Sequence, residues 1–239
     1  MTEKKKDTIT IDAQEMFGAG LLFGHKTSKT HPKMKPYLAS PRSGVSIVDL
    51  EKTKVKLEEA LKFIEEIVAS GKTLLMVGTK IQAKNLLKEV ATECGVPFVS
   101  ERWLGGTLTN FETILKRTAY FKDLVKKKET GELEKYTKKE KAHFIKEIAD
   151  LESKFGGIKD MDKVPDAIFV CDTIKDELVI KEARIKEIPL IAIVDTNADP
   201  TLIDYPIPAN DDAVSSITYI LGKVKDTILK TKKIEKKIN

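Results

Sequence analysis

The sequence predicts an α/β protein, a parallel sheet flanked by helices with an antiparallel helical hairpin inserted into it. Three observations point there. Short β-rich apolar runs alternate with segments whose apolar residues recur at helical spacing. The runs 167–171 and 190–194 are apolar at every position, as strands covered on both faces of a parallel sheet must be. Residues 109–155 then break the alternation with two helical patterns around Thr130-Gly131.

In chain order, 45–48 is the first convincing strand, and Asp49 precedes a helix carrying Leu57, Leu61, Ile64 and Val68. The run 73–77 is the next strand, after which Thr79 is placed to cap the helix of Leu86, Leu87 and Val90. A strand at 96–99 comes after Gly95. In the hairpin, Ile114, Leu115, Phe121, Leu124 and Val125 face Phe144, Ile148 and Leu151, and Thr137 and Glu140 have capping-box spacing. That insert is longer than an ordinary connection and should project as an arm closed by Gly156-Gly157. The strand at 167–171, a helix near 178–188, the strand at 190–194 and an amphipathic helix over 212–229 complete the pattern. The expected organisation is an α/β domain of 1–108 and 156–239, with a basic N-terminal extension over 1–44, and a protruding hairpin over 109–155.

A chain of 239 residues can bury a sizeable core. Its net charge of +5 permits a nucleic-acid partner, but only clustered cations would make one. They do cluster. Between Gly24 and Gly44 lie Lys26, Lys29, Lys33, Lys35 and Arg42 without a carboxylate, beside His25, His31 and Tyr37. Pro32, Pro36 and Pro41 oppose a helix there, so the segment reads as an extended strip of cations. Two readings stay open, a solvated loop and a surface for a polyphosphate backbone. The hairpin tip, with Lys126, Lys127, Lys128, Lys135, Lys138, Lys139 and Lys141, is open in the same way between solvation and contact with nucleic acid or protein.

Other chemistry finds little support. Cys94 and Cys171 match no disulfide or zinc spacing, which suits a reducing compartment. Lys4, Lys5 and Lys6 resemble the start of a signal peptide, but Asp7, Asp12 and Glu15 interrupt the stretch where its apolar region would lie, and no apolar run could span a bilayer. Gly18, Gly20 and Gly24 have the wrong spacing for a dinucleotide loop and precede the first convincing strand. Val77-Gly78-Thr79-Lys80 lacks the upstream glycine of a phosphate loop, leaving a capped helix start or contact with a single phosphate. After the strand at 190–194, Asp195 could bind a divalent metal with His25 and Asp211 or Asp212; a self-bonded polar turn is the alternative. No nucleophile stands beside a base, so catalysis is not supported.

The run Arg102-Trp103-Leu104-Gly105-Gly106-Thr107-Leu108-Thr109-Asn110 joins the 96–99 strand to the hairpin. Trp103, the only tryptophan, is expected to pack on the sheet, Gly105 and Gly106 permit a bend, and Arg102 could meet an internal carboxylate or a phosphate. This run closely resembles the hallmark of the bacterial second small-subunit ribosomal protein family. The likeness continues through Phe23-Gly24-His25, 32–37, 49–53, Gly78-Thr79-Lys80, 156–161, 165–167, 192–197, Asp199-Pro200 and 207–212, covering almost the whole chain in order.

The resemblance implies a Rossmann-like domain with a protruding helical hairpin, built into the small ribosomal subunit and acting in translation. It implies contacts with small-subunit ribosomal RNA and neighbouring ribosomal proteins, no catalysis, and help in holding the first, mRNA-binding small-subunit protein. His25, Lys26, Lys29, Lys33, Lys35, Tyr37, Arg42 and Arg102 are the RNA-contact candidates, and Trp103, Gly105, Gly106 and Asn110 the structural or partner motif. A cytoplasmic, ribosome-bound chain is expected, without membrane partner or homo-oligomer, and with no cofactor beyond the divalent metal left open above. Three departures stand out. Ala39-Ser40-Pro41-Arg42 replaces a more basic, glycine-containing stretch, and Asp49 replaces a common asparagine. The C-terminal end is basic through Lys223, Lys225, Lys230, Lys232, Lys233, Lys236 and Lys237 where many members are acidic, which reads as an extra RNA contact or a frayed helix.

Overall fold

The computed structural model describes residues 11–238, with side chains through residue 234. Lys4, Lys5, Lys6 and the side chains of Lys236 and Lys237 lie outside the described residues. In chain order the elements are α1 (Ala13–Gly18), β1 (Phe23–Lys26), β2 (Leu38–Arg42), β3 (Val45–Val48), α2 (Leu50–Ala69), β4 (Leu74–Val77), α3 (Lys84–Cys94), β5 (Phe98–Val99), α4 (Phe111–Glu129), α5 (Lys138–Phe155), β6 (Ala167–Val170), α6 (Glu177–Ile185), β7 (Leu190–Val194), β8 (Tyr205–Pro208) and α7 (Val214–Ile238). Five strands form a parallel sheet in the order β5-β4-β6-β7-β8, and three form an antiparallel sheet in the order β1-β3-β2. The expected α/β class, a Rossmann-like parallel sheet with flanking helices, is what the chain adopts. Every residue of β4, β6 and β7 is buried, which is why their sequences carry no polar alternation.

The chain divides into two compact units, one of residues up to Lys72 with those from Ile191 onward, the other Thr73–Leu190. In the first, α2 buries Leu57, Leu61, Ile64 and Val68, as their spacing predicts, and packs against α7. Asp49 caps α2 by accepting from the Glu51 N–H, and its own N–H donates to the Tyr37 carbonyl, tying the strip to the start of the helix. Thr53 donates from inside α2 to the Pro208 carbonyl at 2.6 Å, tying the helix to β8.

Three local expectations need correction here. The strand 45–48 does not join the parallel sheet; it is the central strand of the antiparallel one, because β1 and β2 come back to pair along both its edges. The strip is not extended throughout: 27–29 and Pro32–Tyr37 are 3-10 turns. Pro32 starts the second turn, where its missing N–H costs nothing, and the stretches that are extended lie in β1 and β2. The last helix begins at Val214, since Asn210 Oδ1 accepts the N–H groups of Asp212 and Ala213, and it runs on to Ile238.

In the second unit, β4 pairs in parallel with both β5 and β6. The strand expected at 96–99 is shorter, Phe98–Val99. Thr79 does not cap α3, whose N-cap position is Ala83; its hydroxyl donates instead to Asp176 Oδ1 at 2.7 Å. α4 and α5 pack together and bury Ile114, Phe121, Leu124 and Ile148, while Leu115, Val125, Phe144 and Leu151 of the expected interface stay partly exposed. The Thr137 and Glu140 capping box is complete.

Candidate nucleic-acid interface

The antiparallel sheet arranges the strip. Val45 on β3 is flanked by Lys26 of β1 on one side and Arg42 of β2 on the other, so these two cations share one end of the sheet. Two strand spacings put their backbones roughly 10 Å apart. Lys29 is exposed in the first 3-10 turn. In the second, Met34 is fully buried, which turns its neighbours Lys33 and Lys35 outward. Among the described residues, Lys26, Lys29, Lys35 and Arg42 have no ion pair. Tyr37 is half-buried beside the start of α2.

Lys33 behaves differently. Its amino group sits 2.7 Å from Asp199 Oδ2 and 2.9 Å from the Thr201 hydroxyl, fastening the second turn to the segment after β7. Burial works to raise the Asp199 carboxyl, but hydrogen bonds from Lys33 and Thr201 outweigh it and hold the pKa down to about 2. This cation is already neutralised by its own chain.

His25 lies between carboxylates. Its Nδ1 is 3.2 Å from Asp195 Oδ2 and its Nε2 3.4 Å from Asp212 Oδ2, with Asp195 buried and Asp212 half-exposed. One ligand atom from each of the three lies within 4.8 Å of the others, a mixed nitrogen and oxygen set that a borderline divalent cation such as zinc accepts. Asp211 is buried and stands outside this group; its N–H approaches Asp195 Oδ2 at 3.5 Å. The backbone beneath is fixed by Thr196, whose hydroxyl accepts from the His25 N–H and whose carbonyl accepts from the His31 N–H. A Cβ at Gly24 would come within 2.2 Å of Thr196 Cγ2, so only glycine allows this approach. Asn210 adds a staple, donating its amide to the Phe23 carbonyl.

In the second unit, the 102–110 loop closes around a residue that the local sequence did not single out. Glu182 of α6, only 4% exposed, accepts from Trp103 Nε1, from the N–H groups of Gly106, Leu108 and Thr109, and from the Thr109 hydroxyl. Burial favours its neutral form, but those donors prevail and hold its carboxyl below the ordinary value. Trp103 is buried as expected, with its indole N–H committed to this carboxylate. Gly106 has φ +91°, a left-handed conformation in which its N–H can turn toward Glu182, while Gly105 is exposed. Arg102 is exposed without an ion pair among the described residues, and Asn110 sits at the N-cap of α4. One signal for Glu182 was present, a carboxylate in register with the apolar stripe of Val179, Ile180 and Ala183.

The nucleotide alternative meets an obstacle in the same unit. Lys80, the cation a phosphate would need, pairs with Asp172 at 2.9 Å, and both side chains are largely buried. Asp172 also caps the following turn through the N–H groups of Ile174 and Lys175. Burial raises the neighbouring Asp176 carboxyl, against the Thr79 hydrogen bonds that lower it. The lysine and the threonine hydroxyl of this strand–helix turn are both engaged by the chain's own carboxylates.

Comparison with known proteins decides the family. The family profile described as Ribosomal protein S2 matches residues 16–231. The chain is also similar to the small ribosomal subunit protein uS2 of Coprothermobacter proteolyticus, 45% identical over 219 residues, covering 92% of this chain and 82% of the relative. The chain belongs to the ribosomal protein S2 family. As a member it is a structural constituent of the small ribosomal subunit in translation, and not an enzyme. Among the described residues, no helix is long and apolar enough to cross a membrane.

Proposed function

We propose that this chain binds small-subunit ribosomal RNA through Lys26, Lys29, Lys35 and Arg42, with Tyr37 packing against sugar or base and Arg102 engaging a phosphate from the second unit. The supporting observation is the set of four exposed cations on a carboxylate-free segment, none ion-paired among the described residues. Such contacts position a protein on folded RNA without reading its sequence. The hairpin over 109–155 serves as a projecting arm for neighbouring ribosomal proteins, and the whole helps hold the first, mRNA-binding small-subunit protein on a cytoplasmic ribosome. Co-sedimentation tests this directly. Replacing the four cations by Gln should reduce association with small subunits and leave thermal unfolding unchanged; undiminished association would remove the strip as a contact.

A divalent metal held by His25, Asp195 and Asp212 belongs to the same reading, favoured by the convergence of their ligand atoms. It would neutralise the two carboxylates and lock β1 against the segments after β7 and β8. Calorimetric titration with zinc should show one site that Asp212→Asn weakens; identical heats from both proteins would exclude it.

A further inference from the structure

Glu182 is the residue the RNA-binding reading leaves unused. Its Oε1 takes Trp103 Nε1 at 3.1 Å and the Gly106 N–H at 2.8 Å. Its Oε2 takes the N–H groups of Leu108 and Thr109 at 2.9 and 3.1 Å and the Thr109 hydroxyl at 3.2 Å. An arc of inward-pointing N–H groups around a single anion is how a protein loop cradles phosphate, and here the anion is a side chain from another helix. The donors span the arc from Trp103 to Thr109, so the clamp acts on both its ends. The residues just outside are Arg102 and Asn110, both exposed. Asn110 is held further, its N–H donating to the Gly106 carbonyl at 2.8 Å and its Oδ1 accepting from the Thr113 hydroxyl at 2.9 Å.

We propose that Glu182 is a positioning residue, clamping residues 103–109 so that Arg102 and Asn110 are presented in the orientation in which they meet the subunit's RNA. This rests on the RNA-binding reading above and names the device that organises one of its contacts. The physical reason is preorganisation. An arc with two adjacent glycines has much backbone freedom to lose on binding, and a guanidinium recognises phosphate through a directional fork. Ordering the arc during folding removes that cost from the binding step. Glutamine cannot substitute. Its amide keeps one acceptor and turns an NH2 group toward N–H donors, so Glu182→Gln leaves part of the arc facing other donors.

The test measures binding of the full chain to small subunits depleted of this protein, for the parent, Glu182→Gln, Arg102→Ala and the double variant. Thermal unfolding sets a working temperature at which all are folded, and emission of the only tryptophan reports the loop directly. Glu182→Gln should shift Trp103 emission and weaken binding about tenfold, as expected for the loss of a charged, buried acceptor. Arg102→Ala should weaken binding in the parent and much less in the Glu182→Gln background. Full-strength binding by folded Glu182→Gln overturns the proposal, as does an Arg102→Ala effect that is absent or equal in both backgrounds. If Glu182→Gln does not fold, Trp103→Phe, which removes one donor, takes its place with the same binding outcomes. A parent chain that fails to bind depleted subunits defeats the RNA-binding reading as well; a binding parent with uncoupled Arg102 defeats this proposal alone.

Discussion

The strip between Gly24 and Gly44 and the tip of the hairpin are both rich in lysine, yet their charges are disposed oppositely. At the tip, acids are interleaved, and Lys127 pairs with Asp123 and Lys141 with Glu134. In the strip no carboxylate exists, and among the described residues its lysines and arginine make one ion pair, the bond from Lys33 to Asp199, 166 residues away. Lysine count therefore says little about the field a polyanion meets; the placement of carboxylates decides it. The strip offers charge with no carboxylate of its own, whereas at the tip carboxylates are interleaved with the lysines and pair with Lys127 and Lys141.

Equal charge removal from the two regions should break or uphold that contrast most visibly. Lys26, Lys29, Lys35 and Arg42→Gln together should weaken binding to small subunits by roughly 100-fold near physiological salt, and Lys126, Lys128, Lys138 and Lys139→Gln by less than about tenfold. Equal losses in a filter-binding or sedimentation assay would dissolve the distinction.

Next in size is the root of the hairpin. Glu182→Gln should lower stability by ~1–3 kcal/mol in denaturant unfolding, since buried N–H groups lose their acceptor. Its lowered carboxyl pKa sets the sign of the pH effect. The stabilisation is full above the ordinary glutamate value of about 4.3 and is lost as pH falls through the lower folded value. Unfolding curves from pH 6 to pH 3 should thus converge for parent and variant, and a constant gap would contradict the assignment.

Within the strip, Lys33→Gln should behave unlike its neighbours. It should cost at most ~1 kcal/mol of stability, because the lysine is half exposed, and leave the salt dependence of RNA binding unaltered. Asp199 titrates in the folded chain at about 2, so its contribution is present above the ordinary aspartate value and fades as pH drops toward 2. A reduced salt slope in Lys33→Gln would show the residue on RNA after all. Smallest in its reach is Thr137→Ala, which removes the capping box of α5 and should cost ~1 kcal/mol, seen as lost helicity on heating, with binding unchanged.

Legibility in the sequence tracks the range of the forces involved. The strands β4, β6 and β7 announced themselves because burial on both faces leaves continuous apolar runs. The start of α5 was legible because Thr137 and Glu140 satisfy each other within one turn. Thr79 misled for the opposite reason, since Asp176 claims its hydroxyl from 97 residues away. The pairing of β3 with β1, the capture of Lys33 by Asp199 and the clamp on Trp103 likewise depend on partners distant in the chain. At the site, the grouping of His25 with Asp195 and Asp212 was anticipated and Asp211 stands apart, whereas Glu182 was visible only as a carboxylate in an apolar register.

The availability of the strip's four unpaired cations is the central claim, and salt titration of RNA binding measures it most directly. The logarithm of the association constant should fall with the logarithm of salt concentration at a slope of roughly −3 to −4, and that slope should largely vanish when Lys26, Lys29, Lys35 and Arg42 are replaced by Gln. A parent slope near zero, or one that the four substitutions leave intact, would contradict it.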